Sequence, residues 1–203
     1  MASRAEQREQ TRRTLVRESR QLFATKGYAA VGLSEIVRAA GVTKGALYHH
    51  FESKAELFGA VLAEVQQEVA DTVAATADAQ DDPWDRFTTG CQAFLTASTD
   101  PATQRIMLID GPAVLGWNEW RAMDEAGSAR HLADALADLI EAGLIARQPV
   151  APLAHLLSGA MNEAALWLAT SPGDLDATRA ALAQMLDALR AASEGAHPLT
   201  QRS

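Results

Sequence analysis

The segment from Leu33 to Phe51 has the pattern of two short helices joined by a glycine turn. Apolar side chains recur at the i, i+3, i+4, i+7 spacing of one helix face, at Leu33, Ile36, Val37 and Ala40. Gly41 follows where a helix ends in a left-handed residue, and Thr43 is placed to cap a second helix whose Leu47 faces the core. Two helices joined in this way form a helix-turn-helix.

The positive charge of the chain is concentrated around this segment. The whole chain has a formal net charge of −8. Residues 1–60 carry ten basic and six acidic side chains, a net charge of +4, whereas the remainder carries eight basic and twenty acidic side chains, a net charge of −12. Because phosphate contacts supply much of the affinity for nucleic acid, this distribution predicts that only the N-terminal end meets DNA.

The bulk composition predicts a soluble helical protein. With 203 residues, 48% of them hydrophobic, the chain is long enough for one or two domains with a real core. Cys91 is the only cysteine, so it forms no internal disulfide, and we expect a buried thiol in a reducing, cytoplasmic setting. The sequence begins without a signal-like apolar run and contains no stretch of about 18 apolar residues.

The N-terminal part divides into an arm and a three-helix domain. Residues 1–10 are polar and without an apolar period, which predicts a disordered arm. A first helix is expected from about Gln10 to Thr25, with a basic outer face. Its inner stripe consists of Leu15, Ser19, Leu22 and Phe23. The helix-turn-helix completes a DNA-binding domain over residues 11–52.

A larger helical domain is expected over residues 53–195, followed by a tail over residues 196–203. Ser53 and Glu56 have capping-box spacing and open a helix of roughly 25 residues. Asp-Pro pairs at 82–83 and 100–101 predict two further helix starts. Between Asp110 and Trp117 the pattern breaks into a loop with one short turn, and a long helical pattern, bent near Gly127, then continues to about residue 142.

The last two predicted helices, over residues 150–169 and 173–192, are the most hydrophobic. In the first, Leu156 and Trp167 belong to a broad apolar face, and Asn162 belongs to a second face of small side chains. A helix that is apolar or small on two sides is buried on two sides. We therefore expect a homodimer through residues 150–192, built as a four-helix bundle. The alternative is burial within one monomer.

The segment around the helix-turn-helix resembles the tetracycline-repressor (TetR) family of transcriptional regulators over about residues 12–62. The matching motifs, in order, are Ala24 to Tyr28, Ile36, Ala40 to Gly45, Leu47 to Phe51, and Ser53 to Leu57. The resemblance implies an all-α protein with an N-terminal three-helix DNA-binding domain. It also implies a C-terminal helical domain that binds a small effector and forms the dimer interface.

The resemblance also implies roles for particular residues. Thr43 and Lys44 would open the recognition helix near phosphate. Gly45, Ala46 and His49 would face the major groove, where Ala46 can touch a thymine methyl group and His49 can bond a base edge. The residues expected to grip the DNA backbone are Tyr48, His50 and Lys54.

Two positions depart from the family pattern and shift the expected phosphate contacts. Gly32 stands where a Ser or Thr usually caps the second helix. Ser34 stands where a longer basic residue is common, and it is still expected to contact DNA. Arg13, Arg17 or Arg38 are therefore expected to carry more of the phosphate contacts.

An effector site is expected from aromatic, thioether and polar side chains in the larger domain. The candidates are Met107, Asp110, Trp117, Trp120, Met123, Asn162, Glu163 and Trp167. A buried Asp110 or Glu163 would favour a cationic or hydroxylated ligand, because a buried carboxylate needs a partner. The alternative is that these side chains fill the core.

No pattern in the sequence predicts catalysis, a cofactor or a metal. His49 and His50 are adjacent, His131 and His155 lie far apart, and there is no cysteine cluster, so a zinc site is not expected. The glycines match neither a phosphate-binding loop nor a dinucleotide fingerprint.

We therefore expect a dimeric repressor that reads a pseudo-palindromic operator and is released by a small molecule. Two alternatives remain open. One is a helix-turn-helix dimer without an effector, and the other is an all-helical enzyme.

Overall fold

The computed structural model describes residues 3–194, and within that range every regular element is helical. The all-α prediction is confirmed. No described helix is both long and apolar enough to cross a membrane. The predicted tail, residues 196–203, and residue 195 lie outside the described range.

The first helix, α1, spans Arg4–Lys26 and begins earlier than the sequence analysis expected. The Ser3 hydroxyl accepts from the backbone N–H of Glu6 at 3.2 Å, and the Glu6 carboxylate accepts from the backbone N–H of Ser3 at 2.6 Å. This reciprocal capping box satisfies two otherwise unpaired donors and starts the helix at Arg4. The residues expected to form an arm are therefore helical from Arg4 onward.

The helix-turn-helix is present as predicted. It consists of α2, Leu33–Ala39, and α3, Lys44–His50. The turn between them contains Gly41 with φ of +65°, a value that L side chains rarely adopt. Thr43 caps α3, because its hydroxyl accepts from the backbone N–H of Ala46 at 3.1 Å. Gly32 precedes α2 without a side-chain cap, as the sequence indicated. The fully buried side chains include Leu15, Phe23, Ile36, Leu47 and Phe58.

The fourth helix, α4, spans Lys54–Asp78 and contributes to both compact units of the chain. The Ser53 hydroxyl accepts from the backbone N–H of Glu56 at 3.0 Å, whereas the Glu56 carboxylate accepts from the backbone N–H of Glu52 at 2.6 Å, so one of the two bonds of the expected capping box is formed. The first unit runs to Glu68 and takes in Asp100–Asp124, and the second contains Val69–Thr99 and the described residues from Glu125 onward. By this division the units separate inside α4, after Glu68, whereas the expected boundary lies between residues 52 and 53, just before α4 begins.

Within the first unit, the segment after Asp100 is helical but irregular. It contains α6, Pro101–Gln104, a π-helical segment, Arg105–Asp110, then α7, Gly111–Leu115. Helix α8 follows at Trp117–Ala126, its last two residues lying in the second unit. The Trp120 indole N–H donates to the backbone carbonyl of Met107 at 2.7 Å. This bond holds the indole ring against Gly111.

The second unit is a helical bundle around α5, Pro83–Ser98. Both α10, Val150–Leu168, and α11, Leu175–Glu194, pack against α5, and α9, Ser128–Glu141, packs against α5 and α10. Gly127 separates α8 from α9, at the position where the sequence predicted a bend in one long helix. The buried apolar side chains of this bundle include Trp84, Phe87, Leu95, Leu136, Leu139, Leu157 and Leu186.

Replacing Gly111 by Ala tests the packing of the first unit. A Cβ at Gly111 would lie 2.8 Å from Cδ1 of Trp120, whose indole is held by its bond to Met107. Gly111→Ala should therefore lower the free energy of unfolding, measured with urea, by about 1–3 kcal/mol. Gly59→Ala is the matched control, since nothing lies within 4 Å of its added Cβ and it stands inside α4. Equal stability of the two variants would contradict this packing.

Candidate nucleic-acid interface

Helix α3 turns a face of small and hydrogen-bonding side chains to solvent. Leu47 is its fully buried residue, and the side chain of Tyr48 is 48% exposed. The exposed residues are Thr43, Lys44, Gly45, Tyr48 and His49, whereas Ala46 and His50 are half-buried. Every α3 residue predicted to face DNA thus lies at least partly outside the core, on a helix whose N-terminus is capped by Thr43.

The C-terminal end of α3 meets the N-terminal half of α1. The rings of His49 and His50 are 5.6 Å apart in an edge-on arrangement, and those of His50 and Phe51 are 6.5 Å apart. The Arg12 guanidinium carbon lies 5.4 Å from the centroid of the Phe51 ring. Burial lowers the pKa of His50, and the neighbouring charges of His49, Arg8 and Arg12 lower it further, opposed by Glu9.

Lys54, expected to grip DNA, has its ammonium group on backbone carbonyls of its own unit. Its Nζ donates to the carbonyl of Tyr28 at 2.7 Å and to that of Val31 at 2.6 Å, and it lies 3.9 Å from the centroid of the Tyr28 ring. Burial lowers the pKa of Lys54, and the carboxylate of Asp110 opposes that shift. The ammonium group therefore holds the turn between α1 and α2.

Asp110, expected in an effector site, lies against the same turn. Its Oδ2 accepts from the backbone N–H of Tyr28 at 2.9 Å. Gly27 precedes Tyr28 with φ of +80°, and a Cβ there would lie 3.0 Å from Nη1 of Arg105. Both polar groups of the Tyr28 backbone are therefore bonded to charged side chains. No local pattern in the sequence predicts this contact, because the two residues are 82 positions apart.

The basic side chains of α1 fall into two groups by their partners. Arg13 is paired with Glu9 at 2.8 Å and Arg17 with Glu18 at 2.8 Å. The Arg20 guanidinium bonds both carboxylate oxygens of Glu68, and this hydrogen bond raises the pKa of Arg20. Arg8 and Arg12 are exposed, and no carboxylate of the described residues forms an ion pair with either.

A groove of about 610 Å³ lies between α1 and α4 in the first unit. Its lining includes Arg12, Arg13, Val16, Arg17, Ala60 and Ala63. None of the residues predicted to bind an effector lines it.

In the first unit, the effector candidates form an aromatic and thioether cluster. Met107 and Trp120 are buried, and the Trp120 N–H is bonded to the carbonyl of Met107. Trp117 is 63% exposed, with its ring 5.1 Å from that of Trp120, and Met123 is half-buried. Met107 and Trp120 are therefore core residues of this unit.

In the second unit, the buried side of α10 takes residues from both of the faces that the sequence distinguished. Asn162 and Ser158 are buried, whereas Leu156 is 69% exposed and Trp167 48% exposed. Glu163 is exposed with them. Within the described part of the chain, neither amide atom of the Asn162 side chain has a hydrogen-bond partner. The buried side of α10 therefore combines small residues, such as Ala154 and Ala165, with the large apolar side chains of Leu157, Met161 and Leu168.

Two further observations concern chemistry. Among the described residues, no group of three or more His, Cys, Asp or Glu side chains is placed to hold a metal ion. Cys91 is buried, as predicted, and burial raises the pKa of its thiol to about 12, so it carries no thiolate at neutral pH.

Two family models match this chain. The model described as "Bacterial regulatory proteins, tetR family" matches residues 15–61, and the model described as "Tetracyclin repressor-like, C-terminal domain" matches residues 84–195. A crystal structure of a TetR-family transcriptional regulator from Pectobacterium atrosepticum superposes with a TM-score of 0.79 at 32% identity, covering 93% of this chain and 98% of that one. The chain therefore belongs to the TetR family of transcriptional regulators.

Other relatives are similar over shorter lengths or in fold alone. The transposon Tn10 TetC protein of Escherichia coli is 34% identical over 109 residues, which is 54% of this chain and 55% of that protein. The chain thus spans about half the length of this curated relative. RolR, crystallised with resorcinol, is 20% identical, with a TM-score of 0.72 over 98% of this chain and 100% of its own, and shares the fold.

Replacing Lys54 by Met tests its role at the turn between α1 and α2. The change would leave the carbonyls of Tyr28 and Val31 without their donor, so the free energy of unfolding should fall by about 1–3 kcal/mol. Lys44→Met removes the same charge from an exposed position on α3 and should change it by less than about 0.5 kcal/mol. Urea unfolding measures both. A Lys54→Met protein as stable as the control would contradict the role.

Proposed function

We propose that this protein is a homodimeric repressor that binds a pseudo-palindromic DNA operator and is released by a small molecule. One observation carries the proposal: α3 is capped, has Leu47 in the core and exposes a face of small and hydrogen-bonding side chains. A helix of this kind can approach base edges in the major groove. Family membership supports the same function.

The residues of α3 take distinct parts in the proposed contact. Ala46 can touch a thymine methyl group, and His49 can donate to or accept from a base edge. The backbone at Gly45 allows close approach. We assign Thr43, Lys44, Tyr48 and His50 to the flanking phosphates, because phosphate contacts set the register but not the sequence that is read.

Four other predicted residues are assigned a secondary part. Ser34 is exposed at the start of α2 and short. Arg13 and Arg17 each already have a carboxylate partner, and Lys54 already donates to two carbonyls. Each of these three would have to share or exchange a partner to bind phosphate, which reduces the gain from the contact.

The proposed dimer interface is the exposed apolar face of the second unit. Leu156 and Trp167 on α10 are 69% and 48% exposed, and Met185 on α11 is 52% exposed. Between the first two lie Gly159 and Ala160, both exposed, whose small size lets another helix approach. A second copy of the same two helices would cover this face as an isologous four-helix bundle.

The proposed effector site lies at Asn162 on α10. In the second unit, Asn162 is buried with an amide group that lacks a partner, and such a group costs free energy unless something bonds it. A ligand with a donor or acceptor would supply that bond. Another protein of this fold, RolR, holds resorcinol in its crystal structure. Asp110 is not included in this site, because its carboxylate already accepts a hydrogen bond from the backbone N–H of Tyr28.

DNA binding is tested by selecting duplexes from a random pool with the purified protein. We expect enriched sequences with two inverted half-sites whose centres lie about 34–36 Å apart, one helical turn. Tyr48→Ala and Lys44→Ala should weaken binding of the selected duplex, and Lys44→Ala should also lower the salt slope by about 1. Recovery of no enriched sequence would rule out a sequence-specific DNA-binding protein.

The dimer is tested by sedimentation of a charged variant. Leu156→Glu places a carboxylate in the proposed interface, where it would be desolvated without a partner, so the protein should sediment as a monomer. Ile109→Glu is the matched control, since Ile109 is 45% exposed and belongs to the first unit, whereas α10 and α11 belong to the second. If Leu156→Glu stays dimeric at the concentration at which the parent is dimeric, the interface lies elsewhere.

A further inference from the structure

We propose that Arg8 and Arg12 on α1 form, with His50 at the end of α3, a phosphate-binding site on the DNA-facing side of the first unit. This inference rests on the proposed function, because the phosphate belongs to the duplex that α3 reads. It extends the contact surface to the N-terminal turns of α1, which were expected to be a disordered arm.

The register of α1 brings these two arginines to the correct side. Arg8 and Arg12 are four residues apart, and Leu15 and Ser19 continue the same stripe along the helix. Leu15 and Ser19 are fully buried, so this stripe faces the interior of the unit. In the N-terminal half of α1, beyond the core, the same stripe carries Arg8 and Arg12, and these side chains lie near the end of α3.

One contact at the end of α3 locates the Arg12 guanidinium, and Arg8 is near enough for its charge to act on His50. The Arg12 guanidinium carbon is 5.4 Å from the centroid of the Phe51 ring, and Phe51 follows His50. The charged or titratable groups that face His50 are Arg8, Arg12 and Glu9 on α1, and His49 on its own helix. Two of these are fixed cations, and the single carboxylate, of Glu9, is already bonded to Arg13 at 2.8 Å. The cluster is therefore strongly positive.

The charge of Arg8 and Arg12 is not neutralised within the described part of the protein. Among the arginines of α1, Arg13, Arg17 and Arg20 pair with carboxylates. Arg8 and Arg12 are exposed, and neither has such a partner in that range. Planar guanidinium groups bind phosphate with two parallel hydrogen bonds, so an unpaired pair of them beside a half-buried imidazole forms an anion site.

A phosphate in this site would change the protonation of His50. In the free protein, burial and the adjacent cations lower the pKa of His50 and so disfavour the imidazolium. A bound phosphate would favour it, so the bound pKa lies above the free one. DNA binding would then take up a proton, and affinity would fall as the pH rises through the range in which histidine titrates.

The first experiment measures binding of a duplex selected by this protein against salt concentration. Arg8→Gln and Arg12→Gln should each weaken binding, by roughly tenfold, and lower the slope of log K against log salt by about 1. Arg147→Gln removes the same charge from an exposed position in the second unit and should leave affinity and slope unchanged. Unchanged slopes for Arg8→Gln and Arg12→Gln would overturn the proposal.

The second experiment compares wild-type and His50→Gln binding from about pH 8 to about pH 6 at constant ionic strength. The wild type should bind more tightly at the lower pH, and His50→Gln should lose a large part of that gain. Equal pH dependence in the two proteins would remove His50 from the site. Failure to bind any duplex at any pH would instead contradict the proposed function, which keeps the two failures distinct.

Discussion

The hydrogen bonds of the Lys54 ammonium group fix the turn between α1 and α2, and this turn leads into the helix-turn-helix. Its Nζ joins the carbonyls of Tyr28 and Val31, while Asp110 holds the N–H of Tyr28. The turn between α1 and α2 is thereby tied to the start of α4 and to the π-helical segment. Because α2 and α3 have only seven residues each and bury little apolar surface by themselves, such polar contacts matter for their positions.

Several basic side chains of the first unit differ in whether an acceptor within the unit already bonds them. Lys54, Arg13, Arg17 and Arg20 are bonded to acceptors within the unit, whereas Arg8 and Arg12 are free of carboxylates in its described residues. A cation that is already paired gains less from a phosphate than one that faces water. Net charge therefore indicates which end of the chain meets DNA, but the partners of each cation indicate which residues make the contacts.

Local signals in the sequence predicted the motif well. Gly41 and Thr43 end one helix and cap the next, and the structure has both features. The start of α1 is also a local signal, the Ser3 and Glu6 capping box, which the polar composition of the segment concealed. The contact of Asp110 with Tyr28 could not be predicted, because it joins residues far apart in the chain.

The orientation of α10 was not predictable for a different physical reason. One of its sides is apolar and the other carries small residues, so periodicity locates two faces without deciding which is inside. The structure buries Asn162 together with Leu157 and Leu168 and exposes Leu156 and Trp167, so the buried side cuts across both faces. The most direct test of the whole account is a crystal structure with a selected duplex. It should show the guanidinium groups of Arg8 and Arg12 bonded to phosphate, with Lys54 still donating to the carbonyls of Tyr28 and Val31. A complex in which Lys54 no longer donates to these carbonyls and α1 makes no contact with the DNA would contradict this prediction.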